Sequence, residues 1–67
     1  MWERIEVAVG PTVHRGRYRM EGDEVVLEWR EGRVSERCGL LRPDVVAACR
    51  LRQLVSEQLI SGRSFAA

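Results

Sequence analysis

Lysine is absent from this chain: its 67 residues include 11 basic side chains, all arginine, balanced by 10 carboxylates to a formal net charge of +1. Such a skew arises either from selection or from genomic base composition alone, so the arginines carry meaning only through their placement. Cysteine is scarce, with Cys38 and Cys49 and no CxxC pair, and His14 is the one histidine. A structural zinc site wants four soft ligands, so no metal is expected. The longest apolar run is Val45 to Cys49, far short of the ~20 residues that span a bilayer. The opening residues Met1, Trp2, Glu3 and Arg4 show no apolar stretch of a signal peptide and no transit-peptide character. Cytoplasmic localisation without membrane contact is the expectation.

Catalytic signatures are missing too. There is no phosphate-binding loop, no dinucleotide fingerprint, no serine-nucleophile elbow and no carboxylate pair at catalytic spacing on one element. His14 stands next to Arg15 without a visible nucleophile and reads as an exposed or edge histidine. No catalytic residue and no cofactor is therefore expected. Both cysteines read as small buried hydrophobes, and a disulfide between them is disfavoured in a reducing compartment. The aromatic residues are Trp2, Tyr18, Trp29 and Phe65, with Tyr18 and Trp29 fitting a core near Gly16, and Trp2 and Phe65 near the chain ends.

What the sequence does have is periodicity. Alternation with period two fills the first forty residues, and turn signals interrupt it at Gly10-Pro11, Gly22-Asp23, Glu31-Gly32 and Arg42-Pro43. The segments 2–9, 13–20, 24–30 and 33–40 read as strands. A turn at Gly22-Asp23 sets Tyr18 opposite Leu27, Met20 opposite Val25, Gly16 opposite Trp29 and Arg17 opposite Glu28. A turn at Glu21-Gly22 shifts the pairing by two, with Arg19 opposite Glu24 and Arg15 opposite Glu28, and keeps every face. A turn at Glu31-Gly32 would pair Trp29 with Val34 and Val25 with Cys38. It also places Glu36 opposite Leu27 on the apolar face, where it needs either a position beyond the helix edge or a bulge.

After Pro43 the period becomes 3.6. Proline at the first helical position, Asp44 in the first turn and Gly62 past the last periodic residue bracket a helix over 43–61. Its apolar stripe is Ala47, Ala48, Leu51, Leu54, Val55 and Leu59. The expected fold is α+β: an antiparallel three- or four-stranded β-meander with one C-terminal helix packed across one sheet face, forming a single domain over 1–62 with a short tail at 63–67.

Two surfaces follow from that layout. The sheet face away from the helix gathers Arg15, Arg17, Arg19, Arg30, Arg33 and Arg37, with Glu28 the main acidic residue among them and no aromatic side chain interleaved. Guanidinium rows suit phosphate or carboxylate, so an anion or nucleic acid is one candidate partner. On the helix, Val45, Val46, Cys49 and Ile60 fall outside the core stripe, leaving a second apolar strip that needs either a partner or a sheet curling around it. A chain this short sits near the lower limit of single-core stability, which favours oligomerisation. A noncatalytic interaction module, homodimeric or bound to another protein, is the favoured expectation, with edge-strand pairing as a further route. The arrangement of Gly16, Tyr18, Gly22, Asp23, Leu51 and Leu54 resembles small bacterial proteins without assigned function, a resemblance that implies no site and no activity.

Overall fold

The computed structural model describes the backbone of residues 1–66 and the side chains of residues 1–60. Four strands, β1 (Glu3–Val9), β2 (Thr12–Glu21), β3 (Glu24–Trp29) and β4 (Gly32–Arg37), precede one helix, α1 (Pro43–Ala66). The strands form a single antiparallel sheet in the order β1-β2-β3-β4. The α+β meander read from the alternation is thus the observed architecture, with all four strands present.

Two-residue turns join the strands, and glycine makes two of them possible. Gly10 and Gly22 take φ of 60° and 63°, the left-handed conformation demanded at the first turn position by the right-handed twist of the flanking strands. The β2–β3 pairs are those of the Gly22-Asp23 turn and not of a turn at Glu21-Gly22: Gly16 with Trp29, Arg17 with Glu28, Tyr18 with Leu27 and Met20 with Val25. The β3–β4 pairs are not. The turn is Arg30-Glu31, so Trp29 meets Gly32, Leu27 meets Val34 and Val25 meets Glu36. The slip is two residues, so every side chain keeps its face. Glu36 is exposed without a bulge, because the helix packs over β1, β2 and β3 and leaves β4 largely uncovered. Leu40, expected on the core face at the end of the fourth strand, lies beyond β4 and is fully exposed.

The helix begins where proline allows it. The Val46 N–H donates to the Arg42 carbonyl at 3.1 Å, which makes Arg42 the cap, and the Arg42 guanidinium in turn pairs with Asp44 at 2.9 Å. Asp44 also sits in the first turn, at the positive end of the macrodipole. At its far end the helix runs past the stop expected at residue 61. One glycine inside a helix costs about 1 kcal/mol relative to alanine, too little to end it unaided.

Burial is shared by two adjoining clusters. Val7, Leu27, Leu51 and Val55 form one, Val25, Cys38, Val46 and Ala47 the other, and Ile5 and Tyr18 pack against both. Val46 therefore belongs to the core at 6% exposure, not to an outer strip. The end of β4 brings Cys38 over the first helical turn, a closure that the helical wheel alone does not contain. Leu59 errs the other way, at 48% exposed: a helix of 24 residues reaches about 36 Å at 1.5 Å per residue, and its last turns overrun strands of roughly 20 Å. Cys49 is exposed rather than buried, and both thiols are free. Among the described residues no helix is long and apolar enough to cross a membrane.

Candidate interaction surfaces

Register fixes which side chains share the outer sheet face. Arg4, Arg17, Glu28 and Arg33 form one row across all four strands, and Glu6 with Arg15 begins the next. Glu28 sits at the centre of its row as a clamp for two cations. Its Oε1 accepts from Arg17 Nε at 2.7 Å and its Oε2 from Arg33 at 2.7 Å. Those two bonds, Arg33 first, hold the Glu28 carboxyl below the ordinary glutamate value of 4.5.

Every arginine expected to form an open basic face has such a carboxylate. Arg15 pairs with Glu6 at 2.8 Å, Arg30 with Glu31 at 3.1 Å and Arg37 with Asp23 at 3.2 Å, while Arg19 binds Glu21. Arg30 also leaves the expected face: it lies in the β3–β4 turn and donates to Gln58 of α1 at 3.3 Å. Three of these carboxylates, Glu21, Asp23 and Glu31, lie at a strand end or in a turn and still reach an arginine beside them. The face is a lattice of ion pairs rather than a row of free guanidinium groups.

An aromatic side chain does interleave these arginines. Glu3 pairs with Tyr18, so Trp2, one residue before β1, comes level with Arg19 on the outer face. Its indole lies 4.4 Å from the guanidinium carbon of Arg17, 4.9 Å from that of Arg19 and 5.8 Å from that of Arg33. All three distances fall within cation–π range. Trp2 is half-buried and Val26, on the same face, is buried, so this side of the sheet has a small covered patch of its own. A shallow open depression lies beside it, over Gly16, walled by Arg4, Glu6, Arg15, Arg17 and Glu28. Arg4 falls outside the expected basic set, yet among the described residues it has no carboxylate partner, while it stands directly opposite Arg17.

On the inner face, Tyr18 is held above its usual pKa of 10.0, chiefly by burial and then by the nearby charges of Asp44 and Glu3. His14 is half-buried there, its Nε2 2.8 Å from the Thr12 hydroxyl. Among the described residues no cluster of three His, Cys, Asp or Glu side chains is placed to hold a metal ion.

The helix and its lead-in carry most of the exposed large apolar side chains among the described residues. Val45 is 46% and Ile60 65% exposed, with Cys49 exposed between them; Leu59 widens the strip, and Leu41, 65% exposed, stands at its N-terminal end. Residues 45, 49 and 60 lie within about 60° of one another at 100° per residue. Of the helix residues expected to face a partner, Val45 and Cys49 are neighbours on the surface, Ile60 lies about 16 Å further along the same side with exposed Arg52 and half-buried Ser56 between, and Val46 is withdrawn into the core. The Phe65 side chain lies outside the described residues. Comparison with protein-family models, with curated proteins and with solved structures gives no match.

Proposed function

We propose that this chain is a noncatalytic interaction module that self-associates, using the outer strip of α1 as a contact surface. The observation that carries the reading is the set of exposed apolar residues Leu41, Val45 and Cys49 at the start of α1 and its lead-in, with Leu59 and Ile60 further along the helix. An exposed apolar strip on so small a domain marks an interaction site, and a second copy also supplies the burial that a chain of this length otherwise lacks. The alternative, a phosphate or nucleic-acid surface made by the arginine face, is weakened by the pairing of all six of its arginines.

Replacing Val45 and Cys49 together by glutamate tests this. Both are exposed, so the fold should persist by circular dichroism while the sedimentation mass falls to that of one chain. A folded double variant with an unchanged mass discards the helix strip as the contact. A cytoplasmic setting suits the two free thiols and forms part of the same proposal.

A further inference from the structure

The sheet has two open edges, β1 and β4, and their chemistry differs. We propose that β1 pairs antiparallel with β1 of a second copy about a twofold axis at Ile5, joining the two sheets into one. This rests on the self-association reading above and adds to the helix strip a second contact, at the sheet edge.

Hydrogen-bond parity permits the pairing. In a two-residue hairpin the residues flanking the turn form a hydrogen-bonded pair, and bonded and non-bonded pairs then alternate along the ladder. The β3–β4 hairpin shows this parity directly, since Cys38 N–H donates to the Asp23 carbonyl at 2.9 Å in continuation of the Trp29–Gly32 pair. In the β1–β2 hairpin, Val9 pairs with Thr12, so Val7, Ile5 and Glu3 are bonded to β2. The N–H and C=O groups of Arg4, Glu6 and Ala8 consequently point out of the sheet, without partners among the described residues.

Charge then selects the register. With Ile5 facing Ile5, Arg4 of each copy lies opposite Glu6 of the other in a hydrogen-bonded pair, and Trp2 lies opposite the small Ala8. A slip that centres the pairing on Glu6 sets glutamate against glutamate, and one centred on Arg4 sets arginine against arginine. Like charges directly opposite destabilise a ladder, and a register centred on Val7 sets Glu6 against Ala8 with no charge pair, so the Ile5 register alone opposes unlike charges. It also gives a carboxylate to Arg4, which has none among the described residues. Arg4 stands opposite Arg17, whose own guanidinium is committed to Glu28. Glu6 holds Arg15 through Oε2, which leaves Oε1 for Arg4 of the second copy.

The other edge lacks this complementarity. By the same parity β4 presents Arg33, Ser35 and Arg37, and self-pairing about Ser35 would oppose Arg33 to Arg37. A twofold axis through the β1 edge places both α1 helices on the same face of the joined sheet, and α1 packs against β1 in each copy.

Sedimentation equilibrium of the full chain as Arg4→Glu, as Glu6→Arg and as an equal mixture of the two tests the pairing. Each variant alone meets only like charges across the edge, and its dimer should weaken by roughly tenfold or more. In the mixture, the two edge carboxylates of the Arg4→Glu chain face the two edge guanidinium groups of the Glu6→Arg chain. Dimerisation should return to near that of the unaltered chain. Arg4→Glu puts a carboxylate opposite Arg17, so it should fold at least as stably as the parent. Ala8→Pro removes an outward N–H without touching a β2 bond, and it should also weaken the dimer should Glu6→Arg fail to fold. Single variants that dimerise as well as the parent, or a mixture that stays monomeric, overturn the β1 pairing and leave self-association standing. An unaltered chain that is monomeric throughout overturns both.

Discussion

Arg17 engages two partners at once: its Nε donates to Glu28 Oε1 at 2.7 Å while its guanidinium carbon sits 4.4 Å from the centroid of the Trp2 ring. The carboxylate fixes the plane of the cation and the indole shields one side of it from water. With Arg33 completing the clamp on Glu28, Trp2 touches arginines of β2 and β4 whose shared carboxylate stands on β3 between them.

Trp2→Ala should therefore destabilise the domain, although position 2 precedes the first strand. Loss of the ring removes three cation–π contacts, a cost on the order of 1–3 kcal/mol. Urea unfolding followed by circular dichroism checks this, and an unchanged midpoint would show that the indole contributes nothing beyond its own position.

The Glu28 clamp gives stability a defined pH dependence. Its folded pKa lies below the ordinary value of 4.5, so the unfolded chain takes up the proton first as pH falls. The stabilisation is fully present above the unfolded value and disappears as pH drops through the lowered folded value. Glu28→Gln should accordingly be less stable than the parent at neutral pH, and the difference should close on acidification. Thermal unfolding of both proteins from neutral to strongly acidic pH measures it; a gap that stays constant with pH contradicts the clamp.

Gly16 is required for space, not for an unusual backbone. A Cβ there would meet the Glu28 carbonyl oxygen at 3.0 Å and the Trp29 Cβ at 3.3 Å, and neither the carbonyl nor the Cβ can swing aside as the tip of a flexible side chain can. Gly16→Ala should cost about 1–3 kcal/mol, the usual range for overpacking, despite the better strand propensity of alanine. A stability equal to the parent's would mean that the sheet opens at this point at no cost.

Pairing of the arginines makes a negative result the expected one for nucleic acid. Fluorescence anisotropy with random-sequence single-stranded DNA and RNA should show no micromolar binding at near-physiological salt, because Arg15, Arg17, Arg19, Arg30, Arg33 and Arg37 must each give up a carboxylate before taking a phosphate. Micromolar affinity that weakens steeply with salt would contradict this and return the outer face to the role of a phosphate surface.

Much of the fold is legible in the sequence because side-chain alternation and turn chemistry agree. Gly22-Asp23 carries its signal inside the turn, and the β2–β3 register follows from it residue by residue. The β3–β4 register differs because Gly32 stands just after the turn, at φ 145°, so that the glycine reads as a turn residue although it opens a strand. Helical periodicity locates Leu51 and Val55 in the core but misses Val46, whose burial depends on Cys38 arriving from the end of β4. For the outer face, alternation assigns the correct side to Arg15, Arg17 and Arg33 and is silent on reach. Which carboxylate an arginine finds depends on cross-strand register. The part played by Trp2 and the isolation of Arg4 emerge only once Glu3 is paired with Tyr18 and Arg4 with Arg17.

Self-association is the claim on which the functional account depends, and the mass of the unaltered chain in solution tests it most directly. Sedimentation equilibrium over a wide range of concentration should show a species of twice the 7.7 kDa chain mass, dissociating reversibly on dilution. A mass of 7.7 kDa at every concentration would contradict the account and leave the helix strip as a surface for a different protein.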